Sequence, residues 1–581
     1  MPAVFFQNCS KQYELNELDS ESTLKKSNDN LDTTNTTSPT SPTTASGSTT
    51  TSPKDGTWGK TYYIRPDGGT SAQCDGTVDA PLQGAINKKC SWNSYFSALP
   101  PRGTAAGFTD PPAGIAGGDK LIIKRGDFKI GKGAADSEGC TAGWDSRECY
   151  PIDIPSGPDA DHPTRIFGEG YDQGCSSESR PKLYATKGLR QLISMKGSSN
   201  VVLSCLDLSS RGGCYQHPGF GSYNCSDINP NGDWGLDGIR MGASQNVTLQ
   251  DLNVHGFAGG GIGIGTIGAS TDFSQGITNM NFINVRIAYN GVGGVGFDSP
   301  LRGKINLKKV LVEWNGCTEN YPSLSIGHCH DYYGDGFGGS TTGGDWLIED
   351  SIFRYNISDG LDLLYHSLGG EIIVNRVRAE GNAGNQLKVK GSSTIMNSVI
   401  IGNCNHFYNK PYTESVNNCR ALGDALSVSV QQSGEKVNIY NNTVISAGNT
   451  VLYAGASSQV PGFLNVVNNI FIAKLFTIGA TTANDQPSAD IYPEPNGNTW
   501  TVKDFYNLKV GTRNTSCSGN GVICASTAGL KNETLELFDP HLNVSSPALG
   551  TGLLDNINVG LFDFYLNPRI SSGKINRGAV Q

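Results

Sequence analysis

The sequence predicts an all-β protein folded as a right-handed parallel β-helix, a solenoid with long loop insertions stapled by disulfides. Three observations predict this class: short strand-like segments recur, glycine and asparagine turns separate them, and no helical periodicity is visible over hundreds of residues. Glycine alone supplies 75 of the 581 residues. A β-propeller is the alternative, but its blades need about 40–50 residues each, which is longer than most of the repeat units described below.

The N-terminal region differs in composition from the rest of the chain. Within residues 1–26, Cys9 follows a short apolar stretch that resembles the end of a bacterial lipoprotein signal. This predicts a lipid anchor on Cys9, and an incidental cysteine is the alternative. Residues 27–57 are dominated by Thr, Ser, Asn and Pro. Such a stretch has too little apolar surface to offset its ordering entropy, so it is predicted to be a disordered linker.

Folded sequence is predicted to begin at residue 58 and to form one solenoid in three stretches. Residues 58–195 are predicted to be its N-terminal part with a loop-rich cap. Residues 196–480 are predicted to form the central coils and to carry the active-site face, because the repeat is clearest there. Residues 481–581 are predicted to form the C-terminal coils and their cap.

The first half of the repeat ends on an asparagine or aspartate anchor that follows a short apolar strand pattern. Most neighbouring anchors lie 22–27 residues apart, or at a larger spacing where an insertion intervenes. Each coil is expected to bury its apolar positions against the coils above and below it. Repeated asparagine predicts an internal ladder of stacked amides that hydrogen-bond along the axis. The anchors are Asp251, Asn284, Asp350, Asn375, Asn397, Asn441 and Asn468.

The second half of the repeat is a turn followed by a short strand, and it predicts two columns of residues on one outer face. Equivalent residues of successive coils lie about 4.8 Å apart. The turn column is Asp237, Gly260, Gly293, Asp335, Asp359 and Asn385. The outward-pointing strand column is Arg240, Gly263, Gly296, Gly338, Asp362 and Lys388. Five of these twelve positions are glycine, so the face is predicted to be a flat floor.

Three carboxylates and one amine are predicted to meet on this floor. Asp335, Asp359 and Asp362 would repel one another, and a hard dication with oxygen ligands is the natural neutraliser, so they predict a Ca²⁺ site. Asp-Gly is also a common turn pair, so each aspartate alone is typical of a turn. Lys388 is the candidate base, with Lys390 in reserve, because a nearby cation lowers a lysine pKa and favours the neutral amine.

Residues 325–391 resemble polysaccharide lyase family 9. The resemblance rests on an Asp-Gly-Phe at 335–337, a Ser-Asp-Gly-Leu-Asp at 358–362 and a Gly/Asn-rich turn that leads to the Leu-Lys at 387–388. That family contains pectate lyases that fold as right-handed parallel β-helices, so the resemblance implies this activity and this fold. It also implies a role for each site residue, with calcium ligands at Asp335, Asp359 and Asp362 and the base at Lys388. The sequence departs from the family at Ser358, where the family has a further Asp, and this predicts weaker calcium binding.

The predicted function is a polysaccharide lyase that cleaves a uronic-acid polymer of the pectate type by calcium-assisted β-elimination, with an acidic polysaccharide as partner. A β-helix glycoside hydrolase that uses paired aspartates is one alternative, although it gives Lys388 no role. A non-catalytic surface solenoid that binds glycans is another. The chain is expected to be a monomer. With 44 Lys+Arg against 53 Asp+Glu, nucleic acid is not an expected partner.

The 15 cysteines predict a secreted protein or one on a bacterial cell surface. An even set at close spacings is typical of a disulfide framework, which needs an oxidising compartment. Cys9 is the odd residue, and its lipidation is the only membrane attachment predicted. The predicted pairs are Cys74/Cys90, Cys140/Cys149, Cys175/Cys205, Cys214/Cys225, Cys317/Cys329, Cys404/Cys419 and Cys517/Cys524.

Overall fold

The fold is seen in a computed structural model of the chain. The described residues all belong to the compact unit Asp55–Gln581. The predictions for residues 1–57 and for the Cys214/Cys225 pair lie outside them. The structure describes residues 59–102, 110–138, 140, 149–210, 215–216, 223–224, 234–265, 276–297, 299–319, 321–322, 329, 334–339, 342–413, 416–456, 460–478, 481–493, 500–513, 516–554 and 559–581.

Three long parallel sheets, here called sheets 1, 2 and 3, run the length of the solenoid. Sheet 1 has thirteen strands: Thr61–Gly69, Lys120–Ile123, Thr164–Gly168, Val201–Ser204, Ser244–Gln250, Ile277–Ile283, Leu301–Lys308, Asp345–Glu349, Ile372–Asn375, Ser393–Met396, Lys436–Tyr440, Gly462–Val467 and Trp500–Phe505. Sheet 2 has thirteen: Asp127–Ile130, Lys182–Ala185, Asp207–Ser209, Asn253–His255, Arg286–Ala288, Leu311–Glu313, Ile352–Arg354, Arg378–Glu380, Val399–Gly402, Thr443–Ser446, Ile470–Ala473, Leu508–Val510 and Ile523–Ala525. Sheet 3 has ten: Leu189–Lys196, Gly235–Gly242, Gly260–Ile264, Gly293–Phe297, Phe337–Gly339, Leu361–Leu363, Leu387–Lys390, Leu426–Val430, Thr450–Ala456 and Ala489–Pro493.

Each central coil passes through sheet 3, then sheet 1, then sheet 2, and its strands pair in parallel with those of the next coil. This confirms the predicted right-handed parallel β-helix, the hand in which parallel crossovers pack. Alternate residues of the strands point inward and form one continuous apolar core along the axis. The described chain also contains a helix at Tyr95–Ala98 and a 3₁₀ turn at Arg420–Gly423. Three antiparallel hairpins add the strands Tyr215–Gln216, Tyr223–Asn224, Leu475–Ile478, Thr481–Pro487, Leu530–Asn532 and Asp539–Leu542.

The predicted anchors are turn residues that lead the chain out of sheet 1. Six of the seven have φ between 51° and 61°, a left-handed conformation that Asn and Asp adopt more readily than other side chains. The exception is Asn375, which ends its strand, while the next residue, Arg376, takes φ 55°. Some anchors bond to each other, as Asn284 does to Asp251. Asn397 likewise donates to Asn375 at 3.2 Å. The anchors therefore set the turn, and the predicted ladder of stacked amides is confirmed only between some neighbouring anchors.

Continuous amide ladders do exist, but at other positions. Asn290, Asn315, Asn356 and Asn382 are completely buried at the turn from sheet 2 into sheet 3. Each side-chain amide donates to the carbonyl oxygen of the next one along the axis, over 2.9, 2.9 and 2.8 Å. A second ladder, at the turn out of sheet 1, is formed by Asn442, Asn469 and Asn507. The first ladder fixes the turn that immediately precedes the candidate site.

Six of the seven predicted disulfides are present among the described cysteines, and the seventh is the Cys214/Cys225 pair named above. They staple loops at the ends of strands, in keeping with an oxidising compartment. No helix among the described residues is long and apolar enough to cross a membrane. The pairs present are Cys74–Cys90, Cys140–Cys149, Cys175–Cys205, Cys317–Cys329, Cys404–Cys419 and Cys517–Cys524.

His255 on the outer face of sheet 2 predicts a pH dependence of stability. Its ring nitrogens lie 2.5 Å from Glu319 Oε1 and 3.0 Å from Asp207 Oδ1. Burial opposes the charge, but these carboxylates outweigh burial and raise the pKa of His255 to about 9. Since the unfolded pKa is about 6.5, the charged ring stabilises the fold fully below about pH 6.5, and this contribution is lost as pH rises through about 9.

The contribution is expected to reach about 3 kcal/mol, because one pKa unit corresponds to about 1.4 kcal/mol. It is measured as the difference in unfolding free energy between the wild type and His255→Gln in urea, at several pH values. The difference should shrink between pH 6.5 and pH 9. A difference that stays constant over this range would contradict a charged ring in the folded state.

Candidate functional site

The candidate site lies on the outer face of sheet 3, and the predicted strand column is confirmed there. Strand pairing places Arg240 beside Gly263, Gly263 beside Gly296 and Gly296 beside Gly338. Gly338 then pairs with Asp362, and Asp362 with Lys388. The column continues upward through Ser427, Tyr453 and Tyr492. Asp362 and Lys388 are therefore vertical neighbours, as the repeat predicted.

The turn column lies beside the strand column, and its carboxylates bind the backbone of the next coil. Asp335 Oδ1 accepts the backbone N–H of Asp359 at 3.1 Å, and Asp359 Oδ1 accepts that of Asn385 at 2.6 Å. Asp237 does the same for Gly260, at 3.0 Å, far from the candidate site. One oxygen of each carboxylate thus has a structural role in coil stacking, which accounts for aspartate at a turn wherever it recurs. The other oxygen remains for the site.

Lys388 joins the carboxylates of two coils. Its Nζ lies 2.5 Å from Asp359 Oδ2 and 3.1 Å from Asp362 Oδ2. The Lys388 side chain is 13% exposed and the two carboxylates are 6% and 11% exposed. Asp335 lies one coil below, close enough for the charges of Asp359 and Asp362 to act on it. The four predicted residues therefore form one partly buried acid–lysine cluster, which is the name used below.

Burial and charge shift the pKa values of this cluster. Burial, and then the charges of Asp359 and Asp362, raise the pKa of Asp335 to about 7. Burial also raises the pKa of Asp362 to about 6, against the opposing pull of Lys388. For Lys388, burial disfavours the ammonium, but the carboxylates of Asp359 and Asp362 outweigh burial and raise its pKa. The predicted fall in the lysine pKa is thus not seen in the ion-paired arrangement, because the amine's nearest neighbours are anions.

A fourth aspartate stands in the next coil, and the sequence analysis missed it. Asp424 follows Asn385 in the turn column and accepts the backbone N–H of Thr450 at 3.0 Å. Burial raises its pKa to about 7, and it feels the charges of Lys388 and Asp359. An insertion separates Asp424 from Asn385, so the repeat spacing gives no sign of their alignment.

Ser358 and Arg420 adjoin the cluster at Asp335. Ser358 is completely buried, its hydroxyl bonds to Asp335, and it accepts a hydrogen bond from Arg420 Nη1 at 2.7 Å. Arg420 directly follows Cys419, whose disulfide to Cys404 closes the inserted loop. A guanidinium therefore lies beside the position where the resembled family has another carboxylate. The only sign of this contact in the sequence is that Arg420 directly follows a cysteine.

The donor set of the cluster fits a hard cation in chemistry and charge. When ionised, the three predicted ligands offer only oxygen atoms and exceed the Lys388 ammonium by two unit charges, which one dication would neutralise. Within the described part of the chain, however, no group of three or more His, Cys, Asp or Glu side chains is arranged to hold a metal ion. Lys388 occupies the space between Asp359 and Asp362. Cation binding at these carboxylates would therefore require the ammonium to move.

The reserve base, Lys390, lies two residues along the same strand and also points outward. Among the described residues its side chain has no hydrogen-bond or ion-pair partner, whereas the Lys388 amine contacts two carboxylates. Lys388 is therefore the lysine that belongs to the acid–lysine cluster.

Fold and site together define a disulfide-stapled parallel β-helix with an acid–lysine cluster on the outer face of sheet 3. Neither protein-family models nor curated proteins match the chain. Among solved structures, a pectate lyase, Pel9A, shares 14% identity with a TM-score of 0.38, over 90% of this chain and 96% of that one. A rhamnogalacturonan lyase shares 11% identity with a TM-score of 0.34, over 77% and 87%. The A-module of the Azotobacter vinelandii mannuronan C-5 epimerase AlgE4 shares 13% identity with a TM-score of 0.28, over 74% and 91%.

Proposed function

We propose that this protein is a polysaccharide lyase that cleaves a uronic-acid polymer of the pectate type by β-elimination. The observation that supports it best is the contact of Lys388 with the carboxylates of Asp359 and Asp362 on the glycine-rich outer face of sheet 3. An amine that is held by anions on an open floor can meet an extended polymer and can accept a proton once the ion pair opens. The resemblance to polysaccharide lyase family 9 assigns the same lysine as the base.

Elimination needs a base for the proton at C5 of the uronate and a means of stabilising the charge that develops on its carboxylate. Lys388 takes the C5 proton as a neutral amine. The electrons of the C5–H bond form the C4–C5 double bond, the C4–O bond to the neighbouring sugar breaks, and the leaving oxygen takes a proton from water. Because its ion pairs raise the pKa of Lys388, the amine becomes a base only when Asp359 and Asp362 are engaged otherwise.

Asp335, Asp359 and Asp362 are proposed to hold Ca²⁺, as the resemblance implies. When bound, the ion supplies positive charge for the uronate carboxylate and acidifies the C5 proton. The ion would then balance two of the three negative charges, and the pull of the carboxylates on the Lys388 ammonium would weaken. Ser358 offers a hydroxyl where a fourth carboxylate would add charge, so modest calcium affinity is expected.

Calcium removal is expected to abolish the elimination. The measurement follows the ultraviolet absorbance of the unsaturated uronide released from polygalacturonate, with chelator present and then with calcium added back in steps. Ser358→Asp is expected to restore activity at a lower calcium concentration, because an added carboxylate raises affinity for the ion. Full activity in excess chelator would contradict the calcium site while leaving the lyase assignment intact.

A glycoside hydrolase is the second candidate, and one observation favours it. The pKa values of Asp335 and Asp362, about 7 and about 6, suit a protonated carboxylic acid that donates to a leaving oxygen. The same assay separates the candidates, because a hydrolase releases reducing sugar without the absorbance of an unsaturated product. If neither the absorbance nor the reducing sugar appears, the result supports a non-catalytic solenoid that binds glycans.

The protein is proposed to act outside the cytosol as a monomer. The six disulfides seen among the described residues suit an oxidising environment. Attachment to a membrane through a lipid on Cys9 is part of this proposal, and Cys9 lies outside the described residues.

A further inference from the structure

A second charged feature lies on the same outer face of sheet 3, below the acid–lysine cluster. Arg240 belongs to the strand column and is about nine-tenths buried. Its Nε donates to Asp237 Oδ2 at 2.9 Å. A Cβ atom built on Gly263, in the next coil, would lie 2.2 Å from Arg240 Nη1. The guanidinium therefore lies across Gly263 and extends toward the cluster, and Asp237 holds it there.

Arg240 is the upper member of a group of cations at this end of the sheet. Its strand neighbour Leu189–Lys196 carries Arg190 and Lys196. Burial, and then the charges of Arg240 and Arg190, lower the pKa of Lys196, so these cations lie close together. Tyr150 packs beneath Lys196, whose Nζ lies 5.9 Å from the ring centroid. Arg240 is paired with Asp237, and Asp153 accepts the backbone N–H of Lys196. Three cations therefore face two carboxylates, a small local excess of positive charge in a protein of net charge −9.

Among the described residues, a floor of glycines connects Arg240 with the cluster. Gly263, Gly296 and Gly338 succeed one another in the column, so the column itself raises no side chain between the guanidinium and Asp362. The Asp335 carboxylate of the cluster lies over Gly338. Gly296 is exposed, and a Cβ atom added there would have no heavy atom within 4 Å. Three coils separate Gly263 from Asp362, about 14 Å at the spacing of parallel strands. This is the length of several sugar units.

We propose that this floor binds the non-reacting part of an acidic glycan, with the Arg240 guanidinium on a carboxylate several sugars away from the scissile bond. Guanidinium and carboxylate form paired, charge-assisted hydrogen bonds, and the flat floor admits a chain that lies along the solenoid axis. The site therefore selects runs of consecutive uronates over short or sparsely charged chains. The position of the scissile bond in this proposal rests on the proposed function.

The test uses the full chain with polygalacturonate and with a galacturonate disaccharide. Arg240→Gln is expected to raise KM for the polymer by about tenfold, the loss typical of one hydrogen bond to a charged group. The change in KM for the disaccharide should be much smaller, because two sugars are too short to span the floor. Gly296→Trp places a side chain in open space, so it should fold normally and block the polymer. Arg125→Gln, an exposed arginine on the turn between sheets 1 and 2, is the matched control.

Binding is measured separately, by electrophoresis through gels that contain polygalacturonate, so that the two proposals fail differently. Elimination by the wild type with equal KM values for Arg240→Gln and Arg125→Gln would overturn the floor and leave the lyase standing. The wild type could instead show no elimination but be retarded in the gel, with the retardation abolished by Arg240→Gln and by Gly296→Trp. This result would overturn the proposed lyase activity and support glycan binding on the floor. Absence of both elimination and retardation would overturn both.

Discussion

Lys388→Arg is expected to lower the rate of elimination by about 10²–10⁴-fold, the usual contribution of a general base. Arginine keeps the positive charge that Asp359 and Asp362 bind at 2.5 and 3.1 Å. Its guanidinium stays protonated in proteins, so it cannot accept the C5 proton. The substitution therefore removes the proton acceptor and keeps the ion pair. The measurement is kcat on polygalacturonate at saturating calcium, with thermal unfolding to show that the fold is kept.

Two further variants sharpen this result. Lys390→Arg makes the same chemical change two residues along the strand, and a loss of activity there instead would assign the base to Lys390. Lys436→Arg, on the exposed end of a sheet 1 strand, is the neutral control. Retention of activity in Lys388→Arg would contradict a role for Lys388 as proton acceptor and leave it a counter-ion, as the hydrolase alternative requires.

Asn356→Ala is expected to destabilise the protein by about 3 kcal/mol, because it leaves buried polar partners unsatisfied at about 1–3 kcal/mol each. The Asn356 amide donates to Asn382 Oδ1 at 2.8 Å, and its carbonyl oxygen accepts from the Asn315 side chain at 2.9 Å. All three residues are completely buried. Urea unfolding measures the loss, and calcium-dependent activity should fall with it, because Ser358 and Asp359 follow this turn directly.

Asn306→Ala is the matched control for the ladder. Asn306 donates to Asn281 Oδ1 over a comparable 2.8 Å, but it is half-buried on the outer face of sheet 1. Water can replace the lost partner there, so the expected cost is below about 1 kcal/mol. Equal losses at Asn356 and Asn306 would show that burial of the ladder does not set its contribution.

The site residues that the sequence predicted are those whose coils follow one another without a long insertion. Asp335, Asp359, Asp362 and Lys388 lie within three successive coils at spacings of 24 and 26 residues, so the alternation of inward and outward side chains aligns them. Asp424 shares the column, yet the loop closed by Cys404–Cys419 intervenes. Loop length carries no information about stacking, so its alignment could not be predicted.

The sequence by itself determined the coil, the sheet and the outward column, because strand alternation and turn residues are local properties that repeat with the chain. Only the tertiary structure decided which polar groups bond to which. It placed Arg420 on Ser358, aligned the buried asparagine ladder across insertions, and brought the Lys388 ammonium between two carboxylates. The physical reason is that charge state and amide pairing depend on burial by neighbouring coils, and distance along the chain does not encode burial.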